Sequence, residues 1–323
     1  MILEGAKQAV SDAKSGAVKS AYLVTCPKTR ALTGYAMSFL LNLFCETHSA
    51  CGVCSGCKKV LSGSAADIHT IAPENGSIKI GQIRELGDFL AEKPFEAAHK
   101  AVVIFEADKM NTAAQNALLK PLEEPPENTV FMLLAGSDYG LLPTVISRCE
   151  NIRLLPAARE HAKELLEKEG VSADRAELAL ALAQGYYEEA AVLAEDSDFF
   201  AMREQTFSLF FKMMAQKTYA VSAFVAFFEE NKERTGEIID ILKLALMDTL
   251  KLQLAGGEAR IANIDQREML TRMADGFTTG AIYNMIEKLL EHEGRMAYNV
   301  NFILSCESML FEILKEKYRW LMS

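Results

Sequence analysis

An α/β domain built on a parallel sheet, followed by all-helical domains, is the fold class this sequence predicts, and three observations carry it. Short β-rich runs alternate with amphipathic stretches through the first half of the chain, the pattern of parallel strands joined by covering helices. After Pro156 the strand signals stop and every patterned segment repeats at helical spacing. Half of the 323 residues are hydrophobic (50%), enough for the cores of two or three domains.

In chain order, strands are expected at Ala21 to Thr25, Asp67 to Ala72, Ala101 to Phe105, Thr129 to Ala135 and Asn151 to Leu155. Helices are expected between them at Ala31 to Phe44, Ile80 to Glu92 and Thr112 to Leu122, each with apolar residues at helical spacing. Pro121 stands inside the last of these and is expected to kink or shorten it, and Glu123-Glu124-Pro125-Pro126 stops it. Beyond Pro156, one helix ends at Gly170 and a second runs towards Gln184. Longer amphipathic helices follow from about residue 203, with apolar faces wide enough for a bundle. The expected domains are therefore 1–155, 156–202 and 203–323.

The formal net charge of −10 opposes strong phosphate binding by the chain as a whole, so DNA contact must be local or shared with partners. Neither the start of the chain nor stretches such as Ser38 to Phe44 (SFLLNLF) has the apolar length of a signal peptide or a membrane span. A cytoplasmic protein is expected.

The loop after the first strand is where α/β nucleotide-binding proteins place a phosphate loop. Cys26-Pro27-Lys28-Thr29-Arg30-Ala31-Leu32-Thr33 aligns with the eight-residue G-x-x-x-x-G-K-[ST] signature, with Cys26 and Ala31 at the glycine positions and Leu32 at the lysine position. Only the hydroxyl of Thr33 survives. Glycines let backbone N–H groups approach phosphates and the lysine neutralises them, so this loop is expected to hold no triphosphate. In Val102 to Asp108, Phe105 stands where a magnesium-holding aspartate belongs, beside Glu106. Glu106 and Asp108 offer carboxylates, but without a phosphate cradle they read as solvated or helix-N-terminal acids.

Four of the seven cysteines, Cys45, Cys51, Cys54 and Cys57, form C-x5-C-x2-C-x2-C. Two C-x2-C steps suit a closed, structural zinc site centred on about residues 45–60. Disulfides, a redox pair and an iron–sulfur cluster remain alternatives, and His48 is a weaker candidate ligand.

Downstream stand Asn116-Ala117-Leu118-Leu119-Lys120-Pro121-Leu122-Glu123-Glu124-Pro125-Pro126 and Ser147-Arg148-Cys149. The chain resembles bacterial replication clamp-loader subunits of the AAA+ family, which share a N-A-L-L-K-x-L-E-E-P-P run and an S-R-C triplet. The resemblance is strong from about residue 20 to 155 and weak beyond. It implies an AAA+ P-loop-type sheet domain with an inserted zinc module, a small helical lid and a C-terminal helical collar. It also implies that Arg148 reaches as a trans arginine finger into a neighbouring subunit's ATP site. The implied partners are the tau/gamma and delta subunits of the DNA polymerase III holoenzyme, with the sliding clamp and primer–template DNA met through the complex and no membrane. Within the family, the degenerate loop points to a member that does not hydrolyse ATP. Gly185-Tyr186-Tyr187-Glu188-Glu189-Ala190 resembles the lid's G-x-x-R-[DE]-A segment with Glu188 at the arginine position. Asn299-Val300-Asn301 is similar to the start of the last collar helix. The rival readings are an ATP-hydrolysing tau/gamma-like subunit and a zinc-ribbon nucleic-acid-binding protein, to which Lys58 and Lys59 give slight support.

Overall fold

The computed structural model describes residues 7–15, 17–215, 219–296 and 301–319. The chain divides into two compact units, one of residues 1–162 with 185–189, the other of 163–184 with 190–323.

The first unit is built on five parallel strands: β1 Ala21–Thr25, β2 Ile68–Ile71, β3 Lys100–Ile104, β4 Thr129–Ala135 and β5 Glu150–Arg153. Their spatial order is β2-β3-β4-β1-β5, so β1 lies between β4 and β5. Every residue of β3 and β4 is buried, which is why both read as unbroken apolar runs. The two-residue alternation of a strand divides these side chains between two cores. Tyr22, Val24, Val103, Met132 and Ile152 face one core, together with α1 (Lys7–Ser15) and α2 (Thr29–Phe44). Leu23, Val102, Ile104, Phe131 and Leu133 face the other. That second core takes in α4 (Ile80–Arg84), α5 (Leu86–Ala91), α6 (Thr112–Glu123) and α7 (Pro143–Ile146), whereas α3 (Ser55–Ser62) contributes Val60 to the first.

Every expected strand forms, with ends within two residues of expectation. The segment expected as one helix from Ile80 to Glu92 is two, separated at Glu85. Pro121 does not end its helix: α6 runs two residues past it to Glu123. Proline costs one ladder bond here, close to the helix end, and the N–H of Glu124 still reaches the Lys120 carbonyl at 3.0 Å.

Helices α8 (Arg159–Lys168), α9 (Ala173–Leu182) and α10 (Tyr187–Glu195) follow, then α11 (Ser197–Met214), α12 (Tyr219–Glu230), α13 (Thr235–Ala255), α14 (Arg267–Gly276), α15 (Thr279–Met296) and α16 (Phe302–Arg319). The last six share one apolar core centred on Phe210, Phe224, Leu246, Met285 and Met309. Arg203, buried against that bundle, is held bidentately by Asp265 at 2.8 Å for both bonds. Asp248, fully buried, accepts from the N–H groups of Ala262 and Asn263 and from the Asn263 amide. This network fixes the connection between α13 and α14. Asn299 and Val300 lie outside the described residues; Asn301 caps α16 by accepting from the Leu304 N–H at 3.3 Å. Among the described residues no helix is long and apolar enough to cross a membrane.

Candidate functional site

The loop from β1 into α2 forms the floor of a cavity of about 310 Å³ lined by Cys26, Thr29, Leu32, Thr33, Phe105 and Asp108, among others. Each position that would serve a triphosphate is used otherwise. Cys26 and Ala31 are buried in the core, and so is Leu32, whose side chain is only 6% exposed. The Thr33 hydroxyl donates back to the Thr29 carbonyl at 3.0 Å. Phe105 packs against the α2-side core. Glu106 pairs with Lys109, and the Asp108 carboxylate accepts from the Gly136 N–H at 3.0 Å.

The start of α2 is an anion site by construction, since its first N–H groups lack helical partners and carry the positive end of the dipole. Lys28 at the N-cap supplies no side-chain acceptor. Glu189 fills the role from 158 residues downstream, its Oε1 accepting from the N–H of Arg30 at 3.0 Å and of Ala31 at 3.3 Å. Gly185 makes the approach possible: its φ of +85° lies in the left-handed region, and a Cβ there would stand 3.1 Å from the Pro156 side chain. Tyr186 then buries its ring in the sheet core. Glu188 packs its Cγ beside Gly34, and burial, with the neighbouring Glu189 charge adding, raises its carboxyl pKa above the ordinary range. A carboxylate thus occupies the helix terminus that a phosphate would need.

Arg148 stands on the turn after α7. The loop entering α7 is tied to α6 through Gln115, a buried side chain whose amide donates to the Met110 and Gly140 carbonyls at 3.0 and 2.9 Å and accepts from the Leu142 N–H at 2.6 Å. The Arg148 side chain is 32% exposed and forms an ion pair with Glu123. Its Nη1 also donates to the Thr144 carbonyl at 2.8 Å. Beside it Cys149 is buried, which pushes its thiol up to about 11. In the chain by itself, Arg148 therefore makes a partly exposed salt bridge.

The four clustered cysteines converge at the end of α2. Their sulfurs all lie within 4.8 Å of one another, and those of Cys51 and Cys57 are 4.0 Å apart. A tetrahedral site with zinc–sulfur bonds of about 2.3 Å has sulfur–sulfur edges of about 3.8 Å, so the set fits such an ion with small adjustment. Backbone N–H groups already point at sulfur, among them Cys54 N–H at Cys51 Sγ and Cys57 N–H at Cys54 Sγ, both 3.4 Å. N–H bonding from Cys51, with the Thr47 hydroxyl, draws the Cys45 thiol down to about 4, and the Cys57 N–H lowers that of Cys54. Burial pushes Cys57 up to about 12, a thiol that a bound cation would deprotonate. His48 is not in the group; its Nδ1 lies 3.2 Å from the Asn42 carbonyl. All seven cysteines are free thiols in this structure.

Sequence reasoning located the loop, Arg148 and the cysteines, and it missed Glu189, Gln115 and the partner of Arg148. Glu189 was visible only as the acidic residue of the lid segment, and Glu123 only as part of a helix stop.

Comparison with known proteins gives consistent results. A family profile described as DNA polymerase III, delta subunit, matches residues 4–158, and one for the C-terminal part of that subunit matches residues 197–315. The chain is 30% identical over 287 residues to DNA polymerase III subunit delta' of Bacillus subtilis (strain 168), covering 87% of this chain and 86% of that protein. It is 31% identical over 245 residues to subunit delta' of Escherichia coli (strain K12), covering 75% and 71%. Among solved structures, a DNA polymerase III gamma subunit-related protein from Thermotoga maritima is similar in fold, with a TM-score of 0.50 at 18% identity over 97% of this chain and all of that one (100%).

Proposed function

The chain belongs to the DNA polymerase III subunit delta' family, and from that membership we propose that it is a non-hydrolysing clamp-loader subunit that supplies Arg148 to a neighbour's ATP site. The assembly is the DNA polymerase III clamp loader, with tau/gamma and delta subunits as partners. It places a sliding clamp on primer–template DNA in the cytoplasm, and DNA is met through the complex, as the net charge of −10 favours. Residues 156–202 act as a lid and 203–323 as the collar through which the chain joins its neighbours. The cysteine group holds one structural zinc, whose chemistry is to neutralise and fix four thiolates. It takes no part in catalysis.

The observation that carries the reading is the contrast between the two ends of phosphate chemistry in one domain. Leu32, turned into the core, stands at the lysine position and the Glu189 carboxylate takes the N–H groups at the start of α2, whereas a guanidinium stands partly exposed on the turn after α7. A guanidinium is permanently charged and matches phosphate oxygens with a planar fork, so it stabilises transition-state charge without any nucleotide of its own. Hydrolysis in cis is disfavoured because Leu32 stands at the position of the phosphate-binding lysine.

The test is a reconstituted complex carrying Arg148→Ala. The complex is expected to assemble, with its DNA-stimulated ATPase rate lowered; arginine fingers elsewhere contribute about 10³-fold or more at the site they complete. An unchanged rate in an intact complex removes the finger role.

A further inference from the structure

We propose that Glu123 is a positioning residue for Arg148, holding the guanidinium in one orientation before a neighbour's triphosphate arrives. This rests on the finger reading of Arg148.

Two acceptors from two different elements hold the arginine head. Nη2 donates to the Glu123 carboxylate at the last residue of α6, and Nη1 donates to the Thr144 carbonyl within α7 at 2.8 Å. Those elements form one piece, because Gln115 on α6 accepts from the Leu142 N–H at the entry to α7. Pro125 and Pro126 end the helix just beyond Glu123, and the Glu124 N–H bond to the Lys120 carbonyl at 3.0 Å keeps the final turn closed. The place of the carboxylate is thus set by the fold.

The Nε of the arginine is buried and has no hydrogen-bond partner among the described residues, so the described contacts of the head are those of its two Nη atoms. A guanidinium carries five N–H groups. Glu123 and Thr144 engage one on each Nη, which leaves the second hydrogen on each nitrogen for an anion. An unrestrained arginine must give up rotamer freedom on meeting a phosphate. One already pinned at two points gives up less, and its contribution is greatest where charge develops in the transition state.

The carboxylate has a counter-effect, since it offsets the positive charge presented to the neighbour. Both side chains are partly solvated, at 32% and 48% exposure, so water screens the carboxylate's charge at the more distant phosphate, whereas its contact with Nη2 is direct. Orientation is therefore expected to outweigh neutralisation, which sets the expected sign.

The experiment measures steady-state ATPase kinetics of the full reconstituted complex with Glu123→Ala, Glu123→Gln, Arg148→Ala and the Glu123→Ala/Arg148→Ala pair, with each complex's mass checked. Glu123→Ala is expected to lower kcat about threefold to tenfold, the scale set by ordering one long side chain, without changing KM for ATP. Glu123→Gln keeps an acceptor oxygen and is expected to lose about twofold or less. In the Arg148→Ala background, Glu123→Ala is expected to have no further effect. If Arg148→Ala alone changes nothing, the finger reading fails and this inference with it. If Arg148→Ala lowers the rate while Glu123→Ala leaves or raises it, or if the two losses multiply in the pair, the finger stands and the role of Glu123 is overturned.

Discussion

Replacing Glu189 with alanine should unfasten the start of α2. The carboxylate supplies the only side-chain acceptor described for that helix terminus, through the N–H groups of Arg30 at 3.0 Å and Ala31 at 3.3 Å. Loss of an N-cap acceptor costs about 1 to 2 kcal/mol, and a charged acceptor at the positive end of the dipole belongs in the upper part of that range. With a urea dependence of about 2 kcal/mol per molar, the midpoint of the first unit should fall by about 0.5 to 1 M. Peptide-level amide exchange separates this from general destabilisation. Exchange should quicken at Arg30 and Ala31 under conditions where β4, buried throughout, stays protected, and Glu189→Gln should show a smaller effect because it keeps an oxygen acceptor. Unaltered protection at Arg30 and Ala31 in Glu189→Ala would refute the reasoning. The variant is not expected to gain ATP binding, because Leu32 still fills the lysine position.

Glu188 should behave oppositely. Burial raises its carboxyl pKa from the ordinary value of 4.5, so the folded chain holds this proton more tightly than the unfolded one. The stability it contributes is full below the ordinary value and is lost as pH rises through the raised one. Glu188→Gln should therefore raise the denaturation midpoint at pH 7 to 8 and leave it unchanged near pH 4; an equal effect at both would contradict the assignment. Elemental analysis should find about one zinc per chain, and cobalt substitution should give thiolate charge-transfer bands. Chelation should speed amide exchange in residues 45–62 while sparing β4, whereas iron and sulfide in the purified protein would replace zinc with a cluster.

Legibility in the sequence tracked the range of the interactions. The central strands β3 and β4 were readable because burial on both faces demands unbroken apolar runs such as Ala101 to Ile104. The cysteine group and the missing lysine were readable because their spacing lies within one short segment. Helix α1 escaped because only Ala9, Val10, Asp12 and Ala13 of its described side chains are buried, a thin stripe. Helix α3 escaped because it begins inside the cysteine cluster, where Cys54 is at once an N-cap, accepting from the Cys57 N–H, and a candidate ligand.

What local pattern did not disclose was long-range pairing. Glu189 meets α2 across 158 residues, Gln115 meets Leu142 across 27, and Arg148 meets Glu123 across 25. Each partner had a sufficient local explanation, as a lid acid, a helix residue or a helix stop. Only the folded sheet brings them together.

Calorimetric titration of magnesium–ATP into the purified full chain, with phosphate release followed in parallel, tests the loss of the phosphate grip most directly. No saturable binding and no release above buffer are predicted up to millimolar nucleotide. Saturable, magnesium-dependent binding with turnover by this chain alone would contradict the account.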